Sequence, residues 1–159
     1  MLAPGDAIPD VTVPATPGLC EKPTPLAELA AAGPIVLYSY PADGTPLCTR
    51  QACVVRDTMA RLAPQIQESG VRVVGLSPQG EESHARFKER HDLPFPIIAD
   101  TDKAILRALG AIGWLGMPRR LTCLLRPDGT VGDVLTADMR LNRHRAFLEA
   151  AVGVRAADG

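Results

Sequence analysis

Ile35-Val-Leu-Tyr38 is a continuous apolar run of strand length, with Gly33-Pro34 before it and a turn-rich stretch after it. Such a run between chain breakers reads as a buried strand. The stretch that follows, Tyr40 to Cys53 with the sequence YPADGTPLCTRQAC, turns through Pro41, Asp43, Gly44 and Pro46. The turn residues then stop, and a helical segment begins at about Thr49. The sequence therefore places Cys48 where a strand hands over to a helix, in the first helical turn. Backbone N–H groups there have no intrahelical partner and the helix dipole is positive, which favours a thiolate over a thiol.

Cys53 lies five residues on. In an intact helix, residues five apart are separated by roughly 7.5 Å of rise and roughly 140° of rotation, which puts their Cα atoms roughly 8.6 Å apart. A disulfide needs about 4.4–6.8 Å. The two thiols can therefore pair only if a local turn melts, which suggests a redox cycle with a conformational step. The competing reading is a pair of reduced, buried cysteines packing as small hydrophobes.

The pattern Pro41-x3-Thr45-x2-Cys48 resembles the peroxidatic motif of peroxiredoxins, and Cys53 resembles the resolving cysteine of the peroxiredoxin Q (bacterioferritin comigratory protein) subfamily. Two further phrases carry the likeness: GDAIPDVTVPA near the start, and GLSPQGEESHARFKERHDLPFPIIADTD from Gly75. The resemblance covers nearly the whole chain. It implies a thioredoxin-like fold with an N-terminal hairpin extension, in a single domain over residues 1–159.

The chain in order agrees with that implication. Ile8 to Val13 alternates weakly and reads as a short edge strand or hairpin among prolines. Leu26 to Ala32 reads as one helical turn. From Thr49 to Ser69, apolar residues at Ala52, Val55, Met59, Leu62 and Ile66 keep helical steps, with a kink or break expected at Pro64. Val71 to Leu76 reads as a second buried strand, and Glu81 to His91 as a polar helix with Phe87 facing inward. Pro94 to Ala99 is a proline-flanked strand and Asp102 to Leu109 a short helix. Arg120 to Leu125 and Thr130 to Leu135 form a hairpin around Pro127-Asp-Gly129. Arg140 to Val152 closes the chain as an amphipathic helix. Strands alternating with helices, followed by a terminal hairpin, give an α/β domain with a mixed central sheet flanked by helices.

Composition narrows the function classes. A formal net charge of −1 without a basic cluster points to neither nucleic acid nor a membrane surface. Four cysteines at 20, 48, 53 and 123 do not form a secreted disulfide framework. The first residues lack a charged, apolar leader pattern and no apolar run reaches about 20 residues, so a cytoplasmic protein is expected. A zinc module is a rival reading, since Cys48, Cys53 and a histidine are ligand types, but no second close pair exists. A thiol–disulfide oxidoreductase of the same fold is another, but its usual Cys-x-x-Cys is missing.

The resemblance also implies roles. Cys48 is the peroxide-attacking thiolate and Cys53 the resolving thiol within the same chain. Thr45 donates its hydroxyl to the sulfur, and Pro41 shields the site from water. The cation is the arginine that opens the strand before the hairpin, Arg120. Its neighbour Arg119 would point to the opposite side of a strand. Hydrogen peroxide and organic hydroperoxides are the implied substrates, and a thioredoxin- or glutaredoxin-type protein is the implied reductant. No metal or organic cofactor is expected, and a monomer is expected with a dimer as the alternative. Leu47 departs from the glycine common in that family, and is expected to narrow or grease the pocket. Cys123 is read as buried and inert, Cys20 as an incidental thiol, and His84 and His91 as solvated.

Overall fold

The computed structural model describes residues 2–136 and 140–158, with side chains to residue 153. Five strands make the central sheet: β3 (Ile35–Ser39), β4 (Arg72–Ser77), β5 (Ile97–Ala99), β6 (Leu121–Leu125) and β7 (Val131–Thr136), in the order β5-β4-β3-β6-β7. The first three run parallel, while β6 is antiparallel to both β3 and β7. The sheet is mixed, as expected. Two residues each of β1 (Thr12–Val13) and β2 (Thr24–Pro25) pair in a separate ribbon. That ribbon is the N-terminal hairpin, cut shorter than the 8–13 stretch by Pro9 and Pro14, which cannot donate to a ladder.

Helices cover both faces. β3 alternates between them: Ile35 and Leu37 belong to one core, Val36 and Tyr38 to the other. The first core packs α1 (Leu26–Ala31), α5 (Ala104–Ala108) and the N-terminal extension, through Val13, Leu26, Ile105 and Leu106. The second packs α2 (Pro46–Arg61), α4 (Glu81–His91) and α6 (Leu141–Asp158), through Ala52, Val55, Phe87, Leu148 and Val152. With both faces buried, β3 has no polar alternation, which is why it reads as an unbroken apolar run.

Three of the boundaries that differ from the sequence reading sit at prolines. α2 begins at Pro46 rather than Thr49, because proline at the first helical position gives up an N–H that has no partner anyway. The break expected at Pro64 falls at Leu62 (φ −100°, ψ 16°), and α3 (Ala63–Ser69) starts with the proline in its first turn. Proline displaces the break toward the N-terminus, since only a first-turn position tolerates it. β5 is trimmed to Ile97–Ala99; Pro96 still contributes its carbonyl, which accepts from Gly75 N–H at 2.9 Å.

Candidate active site

The loop between β3 and α2 delivers Cys48 as the third residue of the helix. Gly44 turns the chain with φ 78°, a left-handed conformation that strains any residue with a Cβ. Thr45 is the N-cap in extended conformation, and its carbonyl accepts the first helical bond from Thr49 N–H at 2.9 Å. Pro46 has no N–H, so the first-turn donors without an intrahelical acceptor are the amides of Leu47 and Cys48. They lie at the positive end of a helix of 16 residues.

Cys48 is buried, at 2% exposure, and packs in the second core with Tyr38, Tyr40 and Ala52. Arg120 is also buried. Its Nη2 donates to Cys48 Sγ at 3.1 Å and its Nη1 to Gln51 Oε1 at 2.7 Å. Gln51 sits one helical turn after Cys48 and is itself 1% exposed. Strand alternation explains which arginine arrives. Leu121, Cys123 and Leu125 face the first core, so Arg120 shares the opposite face with Thr122. The Arg119 side chain lies against Gly113, where a Cβ would sit 2.8 Å from its Nε. The base of Arg120 is fixed by Ser39: its hydroxyl donates to Arg119 C=O at 2.6 Å and accepts from Leu121 N–H at 3.1 Å.

Of the residues read from the sequence, Cys48 and Arg120 are brought into contact. Cys53 lies on the same unbroken helix and is half-buried, and all four cysteines are reduced. Thr45 is exposed, and its hydroxyl donates to Ala42 C=O at 3.2 Å instead of to the sulfur. A hydroxyl has one proton to donate, so the expected Thr45–Cys48 bond is not made in this conformation. Pro41 is half-buried, and its carbonyl accepts from Gln79 Nε2 at 3.0 Å. Cys123 is fully buried, and desolvation pushes its thiol up to about 12, so it stays protonated. Cys20 donates its thiol to Pro14 C=O at 3.4 Å, far along the chain from the site. Among the described residues no three His, Cys, Asp or Glu side chains converge as a metal-binding set.

His84 corrects the sequence reading. It is not solvated but 2% exposed, with Nδ1 2.6 Å from Asp43 Oδ2. His91 is half-buried with its ring edge-on to Phe87. Burial alone would raise the Asp43 carboxyl, but hydrogen bonds from His84, Tyr40 and Ser83 outweigh it and hold the group below the usual range. Tyr38 is driven the other way, first by burial and then by the neighbouring Cys48, so its phenol stays neutral.

Residues 4–134 match the AhpC/TSA family. The chain belongs to the AhpC/TSA family. A chloroplastic peroxiredoxin Q of Sedum lineare is 34% identical over 113 residues, 70% of this chain and 59% of that protein. The chain thus spans less than two thirds of that relative's length. The crystal structure of peroxidoxin BcpB from Mycobacterium tuberculosis superposes with a TM-score of 0.79 at 30% identity, covering 99% of this chain and 98% of that one. A Xanthomonas campestris bacterioferritin comigratory protein, described for its alkyl peroxide reduction activity, gives 0.76 at 27% identity, covering 95% and 99%. The family fold is thioredoxin-like, and the mixed sheet with its helices on both faces is this chain's version of it.

Sequence reasoning missed Gln51, Ser39, Asp43 and His84. Gln51 carried a signal, since it lies three residues after Cys48 on the same helical face. Ser39 and Asp43 carried none, because a serine closing a strand and an aspartate in a turn are ordinary there.

Proposed function

We propose that this chain is a thiol-dependent peroxidase that reduces hydrogen peroxide and organic hydroperoxides. The observation that carries the reading is the Arg120 guanidinium 3.1 Å from Cys48 Sγ at the positive end of α2. Only about 3% of an ordinary thiol is ionised at pH 7, and the thiolate is the nucleophile. A cation in contact and a helix N-terminus both stabilise the thiolate. Both groups are buried, where opposite charges attract each other more strongly than in bulk water.

The reaction follows from that geometry. The Cys48 thiolate attacks one peroxide oxygen, forming an S–O bond as the O–O bond breaks. Negative charge moves to the departing oxygen, which takes a proton and leaves as water or an alcohol. Arg120 and the free amides of Leu47 and Cys48 stabilise that moving charge. Pro41, in the loop before α2, shields the site from water. Cys48 is left as a sulfenic acid. The Cys53 thiol then attacks its sulfur, giving a Cys48–Cys53 disulfide and one water. A dithiol protein of the thioredoxin or glutaredoxin type returns both thiols and is itself oxidised to a disulfide. No step uses a metal or organic cofactor.

Alkyl hydroperoxides are included because the similar Xanthomonas protein is described for reducing them. No helix among the described residues is long and apolar enough to cross a membrane. A cytoplasmic monomer is the form we propose, with a dimer as the alternative. The test is peroxide-dependent oxidation of a reductase-coupled thioredoxin, run beside an insulin-reduction assay. The wild type should consume peroxide and Cys48→Ser should not. Insulin reduction without peroxide consumption would instead make the chain a thiol–disulfide oxidoreductase.

A further inference from the structure

Among the described residues, the loop that carries Cys48 into its helix is tied by side chains to the corner between β4 and α4. Four hydrogen bonds cross from the loop to that corner. Ser83 Oγ and His84 Nδ1 meet Asp43 Oδ2 at 2.8 and 2.6 Å. Asp43 N–H donates to Gln79 Oε1 at 3.0 Å, and Gln79 Nε2 donates to Pro41 C=O at 3.0 Å. Tyr40 OH fills the other carboxylate oxygen at 2.6 Å, and Ser77 Oγ orients Gln79 through its Oε1, also at 2.6 Å. The side chains of His84 and Asp43 are 3% and 6% exposed, so the pair is shut away from water. A carboxylate accepts only, so the Nδ1 of His84 carries the proton. Its Nε2 is buried with no partner among the described residues.

The position of this cluster gives it a task. Asp43 is two residues before the N-cap Thr45 and five before Cys48. While the carboxylate is held, the start of α2 is held, and Cys48 stays against Arg120. Yet a disulfide to Cys53 requires that same start to unwind, since Cα atoms five apart in a helix are too distant by roughly 2 Å. Unwinding α2 from Thr45 onward pulls on a loop that these hydrogen bonds hold only two residues earlier, at Asp43.

We propose that Asp43 and His84, supported by Ser83 and Gln79, form a latch that positions Cys48 for peroxide and must release before Cys53 can close the disulfide. The proposal rests on the peroxidase reading for its kinetic consequence. These are positioning residues, since none touches the reacting sulfur. The latch favours the first chemical step and opposes the second, so it sets how long the sulfenic acid persists. Weakening it should move the two steps in opposite directions.

The test is Asp43→Asn, with Ser83→Ala as a milder variant that removes one donor from a half-buried position. Single-turnover peroxide consumption measures the first step, and alkylation-quench mass spectrometry measures disulfide closure. Asp43→Asn should slow the first by about tenfold and speed the second by a similar factor, the equilibrium effect of about one charge-assisted hydrogen bond. Less sulfinic acid should accumulate at high peroxide. Amide exchange at residues 47–49 of the reduced protein, with no peroxide present, should rise by the same order. Ser83→Ala should show the same pattern at smaller size, and it decides the matter if Asp43→Asn does not fold. A parallel fall in both rates, or unchanged exchange at 47–49, would overturn the latch. Peroxide consumption by Cys48→Ser would overturn the peroxidase reading instead and leave the exchange result standing.

Discussion

Arg120 Nη2 donates to Cys48 Sγ at 3.1 Å, while Arg119, one residue before it, lies against Gly113. Arg120→Ala should therefore slow reaction with peroxide by roughly 10²-fold or more, the scale of losing one donor to developing charge. Arg119→Ala should change it only a few-fold. Stopped-flow rates for both variants decide this. A larger loss from Arg119→Ala would mean that the strand register does not select the cation.

Gln51 holds the second arm of that guanidinium at 2.7 Å. Gln51→Leu keeps the approximate volume but removes the acceptor. The guanidinium then loses one of its anchors, and the peroxide rate should fall by about tenfold, as for a buried hydrogen bond to a charged group. Thermal unfolding should shift little by comparison. An unchanged peroxide rate would show that Arg120 needs no help from the helix.

Cys53→Ser should keep the first oxidation and stall as the sulfenic acid, then over-oxidise more readily than wild type. Wild-type protein treated with one equivalent of peroxide should yield a Cys48–Cys53 disulfide within one chain. Non-reducing peptide mapping checks both. A dominant bond to Cys20 or between two chains would assign resolution to a different thiol.

Acid should remove the contribution of Asp43 to stability. Its folded carboxyl is held below the ordinary range, so the unfolded chain binds the proton more readily. The contribution is complete above the unfolded value of about 3.9 and is lost as pH falls from there through the lower folded value. The stability gap between wild type and Asp43→Asn should be flat above about pH 5 and shrink below about pH 4. Urea unfolding across that range measures it, and a gap that widens on acidification would contradict the assigned direction.

Cys123→Ala should leave peroxidase turnover unchanged and cost about 1–2 kcal/mol of stability, because it removes one small buried group and leaves a void. A large loss of turnover with normal stability would give Cys123 a redox role that its burial and raised thiol argue against.

What was legible in the sequence was whatever depends on local pattern. The run at Ile35–Tyr38, the steps from Ala52 to Ile66 and the Pro-Asp-Gly hairpin fixed the elements, because burial and turn chemistry act over a few residues. The preference for Arg120 over Arg119 rested on resemblance plus the period of a strand, and side-chain geometry favours the same residue. The footing of that arginine on the sheet was not legible. Ser39 and Arg120 are 81 positions apart, and only the pairing of β3 with β6 brings them together. His84 was misread for the same reason. Seen along α4 it is one polar residue among many, and its burial comes from a loop about 40 residues earlier. The Thr45 hydroxyl goes to the Ala42 carbonyl in this conformation, a competitor inside the same turn and as near along the chain as Cys48.

The hydroxyl of Ser39 bridges the backbone on both sides of Arg120, so the cation is mounted on the sheet while the nucleophile rides on a helix end. The two halves of the site therefore have different mechanical standing. A disulfide that unwinds the start of α2 carries Cys48 away from a guanidinium whose footing stays put. On the proposed cycle, each reduction would return the sulfur to a fixed mark, and turnover would rebuild the start of one helix rather than the whole site.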